Sequence, residues 1–187
     1  MRVIAGSAKR IQLKTLKGLE TRPTTDRIKE TLFNMIDPWI ADCEFLDLFA
    51  GSGGIGIEAL SRGAKRAVFI EKSRAAAGVI AENLKVSRLT EHGELIQADI
   101  YSGLSRLRGR KFDYIFMDPP YQGKFETGTL KLIGELGLLK DDGMIIVEAA
   151  LETDFDDLSS LGYRLVKEKK YKTNKHVFLE TESEEPQ

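Results

Sequence analysis

The sequence predicts an α/β fold: a largely parallel sheet with helices on both faces. Three observations carry this. Short apolar runs alternate with helical segments through most of the chain. Those runs are apolar nearly throughout, as in strands buried on both faces. Glycines cluster directly after the first run, where a helix must begin.

Taken in order, RVIA (2–5) and IQLKTL (11–16) flank GSAKR and read as a small basic hairpin, followed by the polar link KGLETRP. From Thr24 the pattern turns helical. Thr24 or Thr25 can cap, Asp26 lies in the first turn, and Ile28, Leu32, Met35 and Ile36 share one face until Asp37-Pro38 ends it. FLDLF (45–49) is a strand, then a glycine turn, then a helix through GIEALSRG. AVFIE (67–71) is a strand and SRAAAGVIAENLKV (73–86) a helix. ELIQAD (94–99) precedes a short helix near 101–108, and FDYIFM (112–117) precedes a helix over roughly 125–137. GMIIVEA (143–149) leads to a short helix near 154–161. YRLVKEKKY (163–171) and KHVFLE (175–180) follow one another through the turn KTN, with no helix between them, so they should be antiparallel.

At 187 residues the chain suits one domain with a small appendage. A hydrophobic fraction of 42% and a charged fraction of 30% are ordinary for a globular protein, and the net charge of −1 favours no partner. The average hides an asymmetry: residues 1–30 hold eight lysines and arginines against Glu20, Asp26 and Glu30. The expected segmentation is a basic hairpin extension over 1–22, a main domain over 23–180 and an acidic tail over 181–187. The single cysteine, Cys43, excludes an internal disulfide, fits a reducing compartment and reads as a buried structural thiol. No apolar run approaches the ~18 residues that span a bilayer, and MRVIAGSAKR lacks the apolar core of a signal peptide. A cytoplasmic location and no membrane partner are expected.

DLFAGSGGIGIEAL places Gly51, Gly53 and Gly56 in a G-x-G-x-x-G spacing after a strand and at the opening of a helix, the context of a nucleotide-binding turn. Glu71 ends the next strand, where a carboxylate can accept from both ribose hydroxyls, and Asp99 ends the third, beside an adenine ring. The fingerprint alone does not distinguish NAD from S-adenosylmethionine.

Asp118-Pro119-Pro120-Tyr121 closes the fourth strand and makes that distinction. A dehydrogenase has no use for it, whereas methyl transfer to an exocyclic amine does. The lone pair of such an amine is delocalised into the base. Hydrogen bonds from both its N–H groups draw the nitrogen toward tetrahedral geometry and free the lone pair. The Asp118 carboxylate and the Pro119 carbonyl supply two acceptors, Pro120 has no N–H to interfere, and the prolines hold the backbone rigid. Tyr121 can stack on the base or cover it.

These motifs resemble, in order, those of class I S-adenosylmethionine-dependent methyltransferases acting on exocyclic amines. The opening RVIAGSAKRIQLKTLKGLETRPTTDRIKETLFNMI is similar to that of the RsmD family, bacterial enzymes that methylate N2 of one guanine, guanine 966, in 16S ribosomal RNA. The resemblance runs from Arg2 to about Leu179. It implies a Rossmann-like, doubly wound, seven-stranded sheet with the last strand antiparallel. It implies S-adenosylmethionine at Asp47, Gly51, Gly53, Glu71, Asp99 and Ile100, and catalysis by Asp118, Pro119, Pro120 and Tyr121. It also implies that the basic hairpin and the segment from Arg22 to Arg27 hold RNA or close the site, with Lys9, Arg10, Lys14, Arg22, Thr24 and Arg27 as the contacts. The partner is then 16S ribosomal RNA, free or within an assembled small subunit. The loop QGKFETG and the acidic tail depart from the family pattern; Lys124 and Phe125 read either as nucleotide contacts or as ordinary lid residues.

The mechanism expected is a direct in-line displacement at the sulfonium methyl, which needs no metal and no nucleophilic side chain. His92 and His176 carry no motif and read as structural or surface residues. Three rivals stay open at this point: an amine methyltransferase for another RNA base or for DNA adenine, an NAD-dependent oxidoreductase, and a non-catalytic nucleic-acid-binding module.

Overall fold

A computed structural model describes residues 1–16, 26–120, 125–155 and 157–182. Seven strands alternate with five helices: α1 (Asp26–Ile36), β1 (Glu44–Leu48), α2 (Gly54–Ser61), β2 (Arg66–Glu71), α3 (Arg74–Val86), β3 (Gly93–Gln97), α4 (Ile100–Ser105), β4 (Phe112–Met117), α5 (Phe125–Leu136), β5 (Leu139–Ala150), β6 (Tyr163–Lys170) and β7 (Asn174–Thr181). They form one sheet in the order β3-β2-β1-β4-β5-β7-β6. The first five strands are mutually parallel, and β7 runs antiparallel to both of its neighbours. Only Tyr171–Thr173 join β6 to β7, far too short a link for a parallel crossover. The expected mixed, seven-stranded architecture is therefore the one observed.

Each strand sends alternate side chains to opposite faces. Phe45, Phe69, Tyr114, Phe116, Ile146 and Phe178 pack beneath α1, α2 and α3, while Leu46, Val68, Ile115, Ile145 and Leu179 pack with Leu104 of α4 and Leu130 and Ile133 of α5. Each fully buried Leu or Phe in these layers contributes roughly 1.5–3 kcal/mol. Cys43 is buried in the first layer, which pushes its thiol up to about 12 and leaves it inert.

Three local expectations change. The hairpin over 2–16 reduces to one antiparallel bridge, Arg2 to Gln12, with Val3, Arg10 and Leu13 donating backbone hydrogen bonds across it. Its tip does not pair because it docks on α2 instead. The Ala8 N–H donates to Ser61 Oγ at 2.9 Å, and the Ser7 N–H to the Ser61 carbonyl at 2.7 Å. The helix expected near 154–161 is only a 3-10 turn, Ser159–Leu161, ended by Gly162. On α1 the buried face is Lys29, Leu32, Phe33 and Ile36, so Leu32 and Ile36 fall as expected while Lys29 and Phe33 are buried more deeply than Ile28 and Met35. The cap at Thr24 or Thr25 and residues 183–187 of the acidic tail lie outside the described residues.

Candidate functional site

The chain reverses strand order between β1 and β4, and the carboxyl ends of β1 to β5 all open on one edge. Open α/β sheets bind ligands at such a switch point. β1 ends at Leu48, and Phe49 takes a positive φ of 58°, uncommon for a bulky residue. Its ring packs against Phe125 at the start of α5, with centroids 5.7 Å apart. Gly53, at φ 76°, is the N-cap of α2, and its N–H donates to the Ala50 carbonyl at 2.7 Å. Gly56 answers a different need. A Cβ there would fall 2.3 Å from the Phe69 ring, so only glycine lets α2 lie this close to the sheet.

Two carboxylates organise the turn. Asp47, 2% exposed, accepts the Gly56 N–H at 2.9 Å. Burial is the main reason its carboxyl is pushed up to about 8; the Gly56 bond opposes that shift and the nearby Glu71 adds to it. So placed, Asp47 supports the turn from beneath. Glu71, half-buried at the end of β2, accepts the Gly51 N–H at 2.8 Å and the Ser73 N–H at 2.7 Å. Each oxygen keeps a lone pair for a further donor.

Asp99 is exposed and caps α4, its carboxylate accepting the Ser102 N–H at 3.1 Å. Those bonds to Ser102 hold its carboxyl below the usual range. The side chain of Ile100 is buried in the core layer beneath α4 and α5. An adenosine-type ligand fits this set. A Cβ on Gly51 would meet nothing nearer than the Phe49 carbonyl at 4.0 Å, so the turn is open above it, with Glu71 alongside.

The Asp-Pro-Pro corner leaves β4 at Met117, which pairs with Val147 of β5. Asp118 is half-buried, Pro119 buried and Pro120 exposed, while Tyr121 and Lys124 lie outside the described residues. Burial raises the Asp118 carboxyl well above its ordinary value, and the negative charges of Glu148 and Asp47 raise it further.

Glu148 is a site residue that the motifs did not mark. It is 4% exposed, sits one position past Val147, and faces His176 across β7. Its Oε1 accepts from Asn174 Nδ2 at 2.6 Å, and its Oε2 lies 3.3 Å from His176 Nε2. His176 is fully buried, edge-on to Phe116, and its Nδ1 lies 3.2 Å from the Tyr171 hydroxyl. With Nε2–H donating to Glu148, Nδ1 is the acceptor for that hydroxyl. The one available signal was parity: Glu148 follows Ile146 by two, so it shares that residue's face at the carboxyl end of β5.

The expected RNA contacts separate in space. Lys14 reaches the glycine turn: its N–H and carbonyl bond the Asn83 amide, and Asn83 Nδ2 also donates to the Ser52 carbonyl at 2.9 Å. The Lys14 ammonium pairs with Glu82 at 2.5 Å. Lys9 and Arg10 are exposed on the tip beside Ser61, at the far end of α2, about 12 Å along that helix from the turn. Arg27 is exposed on α1, and Arg22 and Thr24 lie outside the described residues. Among the described residues no cluster of metal ligands occurs, and no helix is long and apolar enough to cross a membrane.

The family model described as conserved hypothetical protein 95 matches residues 1–180. The chain belongs to this family, the RsmD family. It is 37% identical over 171 residues to the ribosomal RNA small subunit methyltransferase D of Haemophilus influenzae, covering 90% of this chain and 88% of that one. The protein YlbH of Bacillus subtilis is 43% identical over 159 residues, 84% of this chain and 86% of that one. Among solved structures, the yhhF protein of Escherichia coli superposes with a TM-score of 0.84 at 33% identity, covering 98% of this chain and 99% of that one. Membership in the RsmD family accords with the fold and with the motif order read from the sequence.

Proposed function

We propose that this RsmD-family chain is a methyltransferase that uses S-adenosylmethionine to modify small-subunit ribosomal RNA, and that its target atom is the exocyclic N2 amine of a guanine. The observation that carries this is the rigid acceptor pair, Asp118 and the Pro119 carbonyl, at the carboxyl end of β4 beside the glycine turn and Glu71. The relatives named ribosomal RNA small subunit methyltransferase D support the class of substrate.

When bound, S-adenosylmethionine supplies an electrophilic methyl on a positively charged sulfur. Gly51 and Gly53 leave the backbone open to it, and Glu71 offers its remaining lone pairs to the ribose hydroxyls. Asp118 Oδ and the Pro119 carbonyl accept the two N–H groups of the target amine and so free its lone pair. Burial and the neighbouring Glu148 raise the proton affinity of Asp118, which suits it to take the proton the amine must lose. His176 and Asn174 hold Glu148 in place for this task.

The test is methyl transfer from tritium-labelled S-adenosylmethionine to small subunits, and to naked 16S RNA, from cells lacking the gene. One labelled guanine per RNA, identified as N2-methylguanosine after digestion, is the expected result. Label on adenine or on DNA would overturn the target assignment. No binding of S-adenosylmethionine by calorimetry would overturn the whole reading.

A further inference from the structure

We infer that the crevice-facing side of edge strand β6, with Lys167 and Lys169 leading to Tyr171, is a docking surface for the RNA backbone that flanks the target base. This rests on the RNA-methyltransferase reading above and adds to it a second basic surface, remote from the N-terminal segment.

Topology brings the strand to the right place. β7 is antiparallel to both β5 and β6, so β6 runs in the direction of β5 and ends at the crevice edge. Register then sets a row across the sheet. Asp118 follows the pair Met117–Val147, Glu148 pairs with His176, and His176 pairs with Lys169. Paired residues on neighbouring strands point to the same face, so Lys169 lies on the face of Asp118, Glu148 and His176. At about 4.8 Å per strand it stands roughly 14 Å from the Asp118 position. Lys167 pairs with Phe178 and shares that face. Tyr171 joins the stripe to the site directly, since its hydroxyl meets His176, which meets Glu148.

On the crevice face of β6, Arg164 near the strand's start is held by Glu180 at 2.6 Å. On the opposite face Glu168 binds Lys170 at 3.1 Å and Lys175 at 2.9 Å, so one carboxylate offsets one of those two positive charges. Lys167 and Lys169 are exposed on the crevice side and make no ion pair among the described residues. A polyanion passing along the crevice edge meets two uncompensated ammonium groups, then an aromatic ring, then the carboxylates that receive the base. The competing explanation is that edge-strand lysines only deter strand-to-strand association. Glutamate at the same positions would keep that protection while reversing the charge.

The experiment measures binding of a fluorescein-labelled 16S ribosomal RNA fragment by anisotropy across a salt series. Lys167→Ala/Lys169→Ala should weaken binding about tenfold near 0.1 M salt and lower the log–log salt slope by about 1.4, from two lost phosphate contacts. Lys167→Glu/Lys169→Glu should weaken it further while keeping the wild-type oligomeric state and solubility. Calorimetric affinity for S-adenosylmethionine and the thermal midpoint should match wild type. Lys111→Ala, at the amino end of β4 and so at the end of the sheet away from the crevice, should bind as wild type does. Unchanged affinity and slope in both double variants would overturn the docking surface and leave the methyltransferase reading intact. Failure of the wild-type protein to bind RNA would overturn both.

Discussion

Glu58 and Asp118 are both carboxylates drawn away from bulk water, but their surroundings are opposite. Glu58 is fully buried where the N-terminal segment meets α2. It receives Lys29 at 3.0 Å, Arg62 at 2.9 Å, and the backbone N–H groups of Ile4 and Ala5 at 2.9 and 3.0 Å. Lys29 also donates to the Arg2 carbonyl at 2.6 Å. Every charge there has an answering charge or dipole, and the result is a fixed seam. Asp118 has Glu148 and Asp47 as its charged neighbours, and burial outweighs both in raising its proton affinity. Glu58 is surrounded by donors, whereas Glu148 and Asp47 beside Asp118 are both negative. In the reaction proposed above, the N–H groups of a substrate amine would be the donors to Asp118.

The comparison breaks if removing a seam partner costs little. Lys29→Ala leaves Glu58 buried with less compensation and should destabilise the fold by about 3–5 kcal/mol in urea denaturation. Adding Glu58→Gln should recover part of that loss, because the orphaned charge goes with it. Burial already lowers the proton affinity of Lys29 despite the opposing pull of Glu58, which shows how much desolvation the pair must offset.

At the crevice the expected order is reversed: folding is spared and chemistry is lost. Asp118→Asn should lower kcat by about 10²–10³, roughly 2.7–4 kcal/mol of barrier, with affinity for S-adenosylmethionine unchanged. In the wild type the same acceptor should fail as pH falls through the raised value of Asp118. The single-turnover rate should therefore decline on the acid side, where an ordinary carboxylate would still be ionised. An unaltered rate in the variant would remove Asp118 from the mechanism.

A final effect sharpens the contrast through pH. Asp47 ionises near 3.9 when unfolded but at about 8 when folded, so the folded state binds its proton more tightly. Its contribution to stability is therefore full below about pH 4 and is lost as pH rises toward 8, with a slope of up to about 1.4 kcal/mol per pH unit. Asp47→Asn should flatten that slope in denaturation curves measured across the window. A slope equal to that of wild type would show that folding does not raise the proton affinity of Asp47.

Much of the site was legible in the residues because its parts are local. The glycine turn is a contiguous stretch, Glu71 ends the next strand, and the Asp-Pro-Pro corner has a backbone that two prolines dictate. Glu148, Asn174 and His176 were not legible, because they meet only through antiparallel pairing between residues 26 and 28 positions apart. Lys29 went unmarked for a related reason. A lysine on an amphipathic helix reads as solvent-facing until a distant Glu58 supplies its counter-charge. The hairpin tip was equally opaque, since its backbone donors are satisfied by Glu58 and Ser61 and not by a partner strand.

By itself, then, the sequence determined the β-α order, the parallel core, the glycine turn after β1 and the rigid Asp-Pro-Pro corner after β4. Those follow from side-chain periodicity, glycine and proline stereochemistry, and short-range spacing. Only the tertiary structure decided which charges are spent on the seam, which carboxylate stands beside Asp118, and that two lysines of β6 share the crevice face. Those depend on strand register and helix docking, which bring together groups the chain keeps far apart.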